Sequence, residues 1–247
     1  STHRGHPGAK ARAQVKVEPP RVMTFDCYGT LIDWEAGILM AMRPLLEEHG
    51  ECPPDEEILG LFGALEARIE SSGYRPYREV LAGVVDGFGE TLGFEPSAGQ
   101  RTVLAESVEN WPPFADTVVA LRAFGEECRL AVISNIDDDL FQASSVRLGV
   151  EFDEVVTAEQ VGCYKPSLKN FQVAFERLGH GPDGILHVAQ SLYHDIAPAR
   201  ALGLRNVWVN RRAERKGPGA TAGATAKPDL EVPDLMALSS LMGLDSP

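Results

Sequence analysis

The chain has 247 residues, of which 44% are hydrophobic and 24% charged, a balance typical of a globular protein with one core or a core plus a modest insertion. Its 23 Lys and Arg residues against 36 Asp and Glu residues give a formal net charge of −13, which opposes binding to nucleic acid or to an anionic membrane surface. No run approaches the roughly 18 apolar residues of a membrane-spanning helix, so we expect neither partner.

The N-terminal residues 1–20 are predominantly polar and lack the apolar core of a secretion signal. We expect them to form a disordered extension. The four cysteines lie far apart, form no C-x-x-C pair and follow no zinc-ligand spacing. They are Cys27, Cys52, Cys128 and Cys163. This usage favours reduced thiols, a cytoplasmic protein and no metal site.

Short apolar runs alternate with segments of helical spacing along most of the chain. Such alternation predicts a parallel sheet with helices on both faces. The predicted strands are 21–26 (RVMTFD), 129–134 (RLAVIS), 153–157 (DEVVT), 185–189 (ILHVA) and 206–209 (NVWV). Near the C-terminus, residues 216–228 are rich in Gly, Ala and Pro, which predicts an exposed loop.

The segment 34–111 breaks this alternation, because it contains helical spacing at 38–49 and 58–69 but no apolar strand. We interpret it as a helical cap inserted after the first strand. The core would then consist of 21–33 and 112–247. The predicted fold class is α/β, with a Rossmann-like doubly wound parallel sheet and an inserted helical cap subdomain.

Polar residues follow the predicted strands, where open parallel sheets bind their ligands. Asp26 ends the first strand, Ser134 and Asn135 end the second, and Lys165 and Asp195 follow later turns. Each has an ordinary structural explanation when taken alone, such as a helix cap or a solvated lysine. Together they would bring a carboxylate, a hydroxyl, an ammonium and a second carboxylate to one edge of the sheet. A carboxylate there can act as a nucleophile, and Asp26 is our candidate.

In this order, the segments FDCYGTLIDWE, ISN, YKPS and HVAQSLYHDIAPARALGL resemble the four motifs of the haloacid dehalogenase superfamily. Tyr28, two residues after Asp26, resembles the L-2-haloacid dehalogenase (type II) branch. The resemblance covers the chain from residue 21 to its C-terminus. It implies that Asp26 forms an ester with the substrate and that Asp195 activates or orients the water that hydrolyses it. Lys165 would hold Asp26 ionised.

Two positions favour attack on carbon over attack on phosphorus. Phosphatases of the superfamily usually carry a second Asp where Tyr28 stands, and a tyrosine with a pKa of about 10 is a poor acid for a leaving alkoxide. Gln190 occupies a position that is often acidic in phosphatases, which leaves few ligands for Mg²⁺. We therefore predict no cofactor, with Mg²⁺ only in a phosphatase.

A halide leaves without a proton and needs only hydrogen-bond donors around it, which Asn135 and cap residues could supply. Thr30 and Ser134 would hydrogen-bond the nucleophile or the substrate carboxylate. The chain departs from the branch at Leu192, where an Asn is common, and at Phe171, where a Tyr is common. Relatives also hold the halide with a cap arginine, and the spacing here does not select among Arg68, Arg75 and Arg78.

The sequence thus predicts a hydrolase of small 2-substituted carboxylic acids, of the (S)-2-haloacid dehalogenase type. One alternative is a Mg²⁺-dependent small-molecule phosphatase. Another is a hydrolase that opens the ring of an azetidine-2-carboxylate type substrate by carbon–nitrogen cleavage. A third is a member that binds a metabolite or protein without turnover. The sequence is compatible with a monomer and with a homodimer.

Overall fold

The computed structural model describes residues 15–215, 217 and 219–244. These residues form one six-stranded parallel sheet in the order β3-β2-β1-β4-β5-β6. The strands are β1 (Val22–Phe25), β2 (Arg129–Ser134), β3 (Glu154–Thr157), β4 (Ile185–Ala189), β5 (Arg205–Val209) and β6 (Leu230–Val232). The strand order reverses between β1 and β4. This arrangement confirms the predicted doubly wound α/β fold.

Helices cover the sheet and fill the insertion between β1 and β2. Within the described part of the chain they are α1 (Trp34–Glu48), α2 (Asp55–Glu70), α3 (Tyr77–Leu92), α4 (Ala98–Ser107), α5 (Thr117–Glu127), α6 (Asp138–Ser145), α7 (Ala158–Val161), α8 (Leu168–Leu178), α9 (Ala197–Ala201) and α10 (Leu235–Leu241). No helix in that part is long and apolar enough to span a membrane.

Alternate residues of the central strands enter separate hydrophobic clusters on the two faces of the sheet. In β1, Val22 packs with one cluster, whereas Met23 and Phe25 pack with the other. Because successive side chains of a strand point to opposite faces, both faces are buried. The first cluster includes Phe171 and Leu178 of α8. Apolar runs with no polar alternation are expected of such strands.

The four helices from α1 to α4, called here the inserted helices, occupy 34–107 without a strand among them. They pack through the same apolar cluster as one face of the sheet. A core carboxylate also holds them, since Asp137 accepts hydrogen bonds from the first two backbone N–H groups of α3, at Tyr77 (2.7 Å) and Arg78 (2.9 Å). Whether 34–111 behaves as a separate cap subdomain stays a prediction.

Three details differ from the sequence predictions. Strand β6 was not predicted, because its three residues, LEV, carry no apolar run. Val17, inside the predicted disordered extension, is buried and donates its backbone N–H to the carbonyl of Leu241 (2.9 Å); residues 1–14 of that extension lie outside the described residues. In the predicted exposed loop, Ala220 is buried and donates its N–H to Glu35 (3.0 Å).

Candidate active site

The candidate nucleophile, Asp26, lies just after β1, at the point where the strand order reverses. One carboxylate oxygen accepts a hydrogen bond from Lys165 Nζ (2.9 Å), and the other accepts one from Thr30 Oγ1 (2.7 Å). Thr30 is fixed in turn by the backbone N–H of Gln190 (2.9 Å). These contacts hold the Asp26 carboxylate in one orientation.

The ammonium of Lys165 is buried and fully hydrogen-bonded. It donates to Asp26 Oδ1 (2.9 Å), to Asp195 Oδ1 (2.7 Å) and to the carbonyl of Ile133 (2.8 Å). An ammonium has three N–H groups, so none is left for a substrate. Lys165 can therefore orient Asp26 and balance its charge, but it has no N–H left with which to bind a ligand.

Asp195 lies on a π-helical turn, Leu192–Ile196, directly after β4. Its Oδ1 also accepts from His187 Nε2 (2.9 Å), and His187 Nδ1 contacts Thr24 Oγ1 (2.8 Å) on the neighbouring strand. Because a carboxylate only accepts, His187 must carry a proton on Nε2, which it donates to Asp195. The other oxygen, Asp195 Oδ2, is buried without a partner, and Asp195 is among the residues that line the cavity of the site.

Burial and charge set the protonation of these groups. Burial raises the pKa of Asp26, against the opposing effects of Lys165 and Thr30. Burial would also raise the pKa of Asp195, but Lys165 and His187 outweigh it and lower that pKa to about 2. Burial would lower the pKa of Lys165, yet its two carboxylate neighbours raise it. Lys165 is thus an ammonium and Asp195 a carboxylate at neutral pH.

The residues at this edge do not fit a magnesium site of the kind that phosphatases of the superfamily use. The two acids at the strand ends, Asp26 and Asp195, are already bridged by Lys165. The third position is Gln190, whose side-chain oxygen accepts from Thr221 (3.0 Å). Among the residues that the structure describes, no group of three or more His, Cys, Asp or Glu side chains could hold a metal. A hard cation prefers more anionic oxygen than this.

The structure brings the predicted binding residues to the site. They differ in whether their polar atoms already have hydrogen-bond partners. Ser134 Oγ is buried without a partner, so it can bond a ligand. Asn135 is committed to the backbone of Lys165, bonding its N–H (2.7 Å) and its carbonyl (3.1 Å). Tyr28 contacts Ser144 Oγ with its hydroxyl (2.8 Å) and packs edge-on against Trp111. The catalytic and binding roles of all these residues stay predictions.

A small cavity of about 40 Å³ connects these groups, which is enough room for a water molecule or two. Its walls come from the strand ends, the inserted helices and the loop after β5. The lining residues are Asp26, Tyr28, Trp34, Glu66, Glu70, Tyr77, Ser134, Asn135, Lys165, Gln190, Ser191, His194, Asp195 and Thr221. A larger chamber of about 500 Å³ adjoins it and shares Glu70, Lys165 and His194 with it.

The inserted helices contribute carboxyl groups to the cavity where the resemblance implied an arginine. Arg68, Arg75 and Arg78 are exposed, and none lines the cavity. Glu66 and Glu70 of α2 line it instead. Burial raises the pKa of Glu66 to about 7, although the hydrogen bond from Tyr77 opposes this. Burial and the charge of Glu66 raise the pKa of Glu70 well above its ordinary value.

Two further lining residues come from the π-helical turn. Ser191 Oγ accepts the backbone N–H of His194 (2.9 Å) and contacts its Nδ1 (3.1 Å), which makes Ser191 the cap of that turn. Burial lowers the pKa of His194 to about 4, so its ring is neutral at pH 7. Its Nε2 lies 3.9 Å from Glu70 Oε2. This turn therefore closes the cavity without adding positive charge.

The two departures from the branch lie outside the cavity lining. Leu192 is half-buried in the π-helical turn. Phe171 is fully buried and packs edge-on against His187 (5.1 Å between ring centroids). The Phe171 ring thus supports the histidine that bonds Asp195.

Comparisons with known proteins bear on the family to which the chain belongs. The model of a family described as haloacid dehalogenase-like hydrolase matches residues 20–203. The chain is 24% identical over 203 residues to (S)-2-haloacid dehalogenase 1 of Pseudomonas sp. (strain CBS-3), covering 79% of this chain and 86% of that protein. It is 34% identical over 198 residues to the glyceraldehyde 3-phosphate phosphatase of Methanothermobacter thermautotrophicus, covering 77% and 85%.

Solved structures show the same fold. The L-2-haloacid dehalogenase from Xanthobacter autotrophicus matches with a TM-score of 0.76 and 22% identity, covering 91% of this chain and 98% of that one. The HAD-hydrolase YfnB from Bacillus subtilis, bound to magnesium, matches with a TM-score of 0.73 and 20% identity, covering 92% and 100%. Dehalogenases and phosphatases thus both stand among the similar proteins.

Proposed function

Because the chain belongs to the haloacid dehalogenase-like hydrolase family, we propose that it hydrolyses small 2-substituted carboxylic acids, with 2-haloacids as the leading substrates. The observation that carries this proposal is the buried chain of contacts from Asp26 through Lys165 to Asp195. It gives a carboxylate nucleophile a fixed cation and a second acid without drawing on a metal. The small cavity favours a substrate of few atoms.

In the proposed reaction, a carboxylate oxygen of Asp26 attacks the substituted carbon, and the leaving group departs with the bonding electron pair. Water then attacks the carboxyl carbon of the resulting ester. The unpartnered Asp195 Oδ2 orients this water and accepts its proton, which passes to the departing alkoxide product. Ser134 Oγ, which also lacks a partner, donates to the substrate carboxylate. The second proton of the water passes from the Asp26 carboxyl to solvent, which restores the Asp26 carboxylate.

The test is turnover of the two 2-chloropropionate enantiomers in EDTA, with chloride release as the readout. We expect turnover by the unchanged chain and a loss of at least about 10³-fold in Asp26→Asn. The matched control is Asp183→Asn at an exposed site. A single turnover in ¹⁸O-water should label the Asp26 peptide and leave the product alcohol unlabelled. Activity in Asp26→Asn, or label in the alcohol alone, would reject the ester.

A second candidate is carbon–nitrogen cleavage in a substrate of the azetidine-2-carboxylate type. The observation that favours it is the presence of Glu66 and Glu70 in the cavity lining and the absence from it of Arg68, Arg75 and Arg78. Parallel assays with azetidine-2-carboxylate, and with p-nitrophenyl phosphate in EDTA or Mg²⁺, separate the candidates. Nitrophenol release that strictly requires Mg²⁺ would replace both carbon-centred reactions with phosphatase activity.

A further inference from the structure

A histidine lies in the middle of the central sheet, where an apolar residue would be expected. His187 is the third residue of β4, whose residues are all buried, and its own side chain is fully buried. Strand β4 is paired on both sides, with β1 and with β5, and Phe171 of α8 packs against the His187 ring. A polar ring in such surroundings costs free energy unless its nitrogens are hydrogen-bonded. His187 is thus a buried titratable group to which the proposed reaction gives no role.

Both nitrogens of the His187 ring have a partner. Nε2 donates to Asp195 Oδ1 (2.9 Å), and Nδ1 contacts Oγ1 of Thr24 (2.8 Å), the residue directly opposite on β1. Nε2 carries a proton whether the ring is neutral or charged, because a carboxylate only accepts. The ring is therefore fixed between the neighbouring strand and the acid that follows β4.

The contact with His187 distinguishes the two oxygens of Asp195. Oδ1 accepts from both His187 and Lys165 (2.7 Å), whereas Oδ2 has no partner. A carboxylate held by one donor can swing about that bond, and a second donor from another element restricts it. His187 is not among the residues that line the cavity, so it can act on a ligand only through Asp195.

We propose that His187 is a positioning residue for the second step of the reaction, holding Asp195 Oδ1 so that Oδ2 stays free to take the proton of the attacking water. The inference rests on the aspartyl-ester route. His187 transfers no proton and forms no bond to the substrate. The first step does not depend on it, because Asp26 keeps its contacts with Lys165 and Thr30. His187 therefore affects the decay of the ester and not its formation.

The same hydrogen bond favours the charged form of Asp195. The titratable groups around this carboxyl are Asp26 after β1, Lys165 before α8, His187 of β4 and His194 of its own turn. Burial would raise the pKa of Asp195, but Lys165 and then His187 lower it to about 2. Without the His187 donor this pKa should rise. Asp195 would then take up its proton, and lose its ability to accept one from water, at a higher pH.

The experiment separates the two steps with 2-chloropropionate as substrate. Chloride release measures ester formation, and intact-mass spectrometry after rapid acid quench measures the ester that remains. His187→Phe removes the donor and keeps an aromatic ring, whereas His187→Gln restores an N–H at about the reach of Nε2. His180→Phe is the matched control, because His180 follows α8 and does not line the cavity. Thr24→Val, which removes the contact at Nδ1, replaces His187→Phe if that variant does not fold.

In His187→Phe, we expect ester decay to slow at least about 10-fold while ester formation is unchanged, so that the ester accumulates. His187→Gln should recover most of the decay rate, and His180→Phe should behave as the unchanged chain does. Thr24→Val should slow decay in the same direction but by less. The ratio of the decay rate in His187→Phe to that in the unchanged chain should fall further as the pH is lowered from 7 to 4, because the pKa of Asp195 has risen.

The outcomes separate this inference from the aspartyl-ester route. Equal slowing of both steps would show a merely structural role and overturn the inference, and so would a slower decay with the pH dependence of the unchanged chain. Decay at the unchanged rate in His187→Phe, or in Thr24→Val where that variant is used, would overturn it and leave the aspartyl-ester route intact. Rejection of the ester by the ¹⁸O-water experiment would overturn both.

Discussion

At the scale of single residues, Lys165 holds two buried carboxylates in the folded chain. Removing one member of a buried ion pair leaves uncompensated charge and typically costs about 3–5 kcal/mol. Lys165→Met should therefore lower the free energy of unfolding by about this amount at pH 7. Lys227→Met, at an exposed position, is the control. Urea unfolding followed by circular dichroism measures both.

The pH dependence of Lys165→Met has a definite sign. Without the ammonium, burial and mutual repulsion would raise the folded-state pKa values of Asp26 and Asp195 above about 3.9, the unfolded value. In the variant, the protonated carboxyl groups stabilise the folded state at low pH. This stability is lost as the pH rises through their folded-state pKa values. Relative to the unchanged chain, the variant should therefore be more stable at pH 5 than at pH 7. An offset that does not vary with pH would contradict this.

Glu66 gives an independent stability prediction. Its pKa is raised from 4.5 to about 7, so the stability that protonated Glu66 contributes is lost as the pH rises from 4.5 to about 7. Glu66→Gln keeps an acceptor for the Tyr77 hydroxyl and carries no charge. The melting temperature of the variant, relative to the unchanged chain, should therefore increase from pH 5 to pH 8.5. A relative melting temperature that stays constant over this range would place the pKa of Glu66 near its ordinary value.

The site residues that follow strand ends could be predicted from the sequence. The site residues on the inserted helices could not. Asp26, Lys165 and Asp195 meet because parallel strands end at one edge. Glu66 and Glu70 were not predicted, yet α2 carried a signal. Phe62 and Glu66 are four residues apart, so a charged residue falls on the apolar stripe of the helix. The sequence pattern of α2 does not show which ligand Glu66 contacts, because that depends on how the helix packs.

At the scale of elements, Asp137 joins α3 to the core by accepting its first two N–H groups. An acceptor at a helix N-terminus contributes about 0.5–2 kcal/mol. Asp137→Ala should lose this stability and speed hydrogen exchange at Tyr77 and Arg78. Asp139→Ala is the control, because its ion pair with Arg78 is exposed and worth less than about 1 kcal/mol. Equal exchange in both variants would remove the role assigned to Asp137.

Strand prediction succeeded where an element is buried on both faces and failed at the edge of the sheet. The limits predicted for β2 and β4 are those of the structure, because each is an apolar run that both clusters cover. Strand β6 pairs with β5 alone and has only Val232 buried. The pairing of β6 depends on the assembled sheet and cannot be predicted from its three residues.

At the scale of the whole molecule, the inserted helices, the sheet edge and the loop after β5 enclose a cavity of only about 40 Å³. A cavity of this size favours small substrates. Across chloroacetate, 2-chloropropionate and 2-chlorobutanoate, we expect kcat/KM to fall with each methylene beyond 2-chloropropionate, within the roughly 10–200-fold that one methylene is worth. Chloride release measures this series. A rate that rises with chain length would show that the larger adjoining chamber takes the substrate's tail.

The buried anchor of the loop after β5 has a consequence for synthesis of the protein. Gly63 has no Cβ, and one built there would lie 2.5 Å from the carbonyl oxygen of Ala220, so α2 and this loop meet through backbone. Thr221 then reaches Gln190 at the cavity wall. During translation Asp26 leaves the ribosome nearly 200 residues before Thr221 does. Long-range closure of this kind is slow, so Asp26 of a nascent chain stays exposed to solvent until the segment that contains Thr221 has been made.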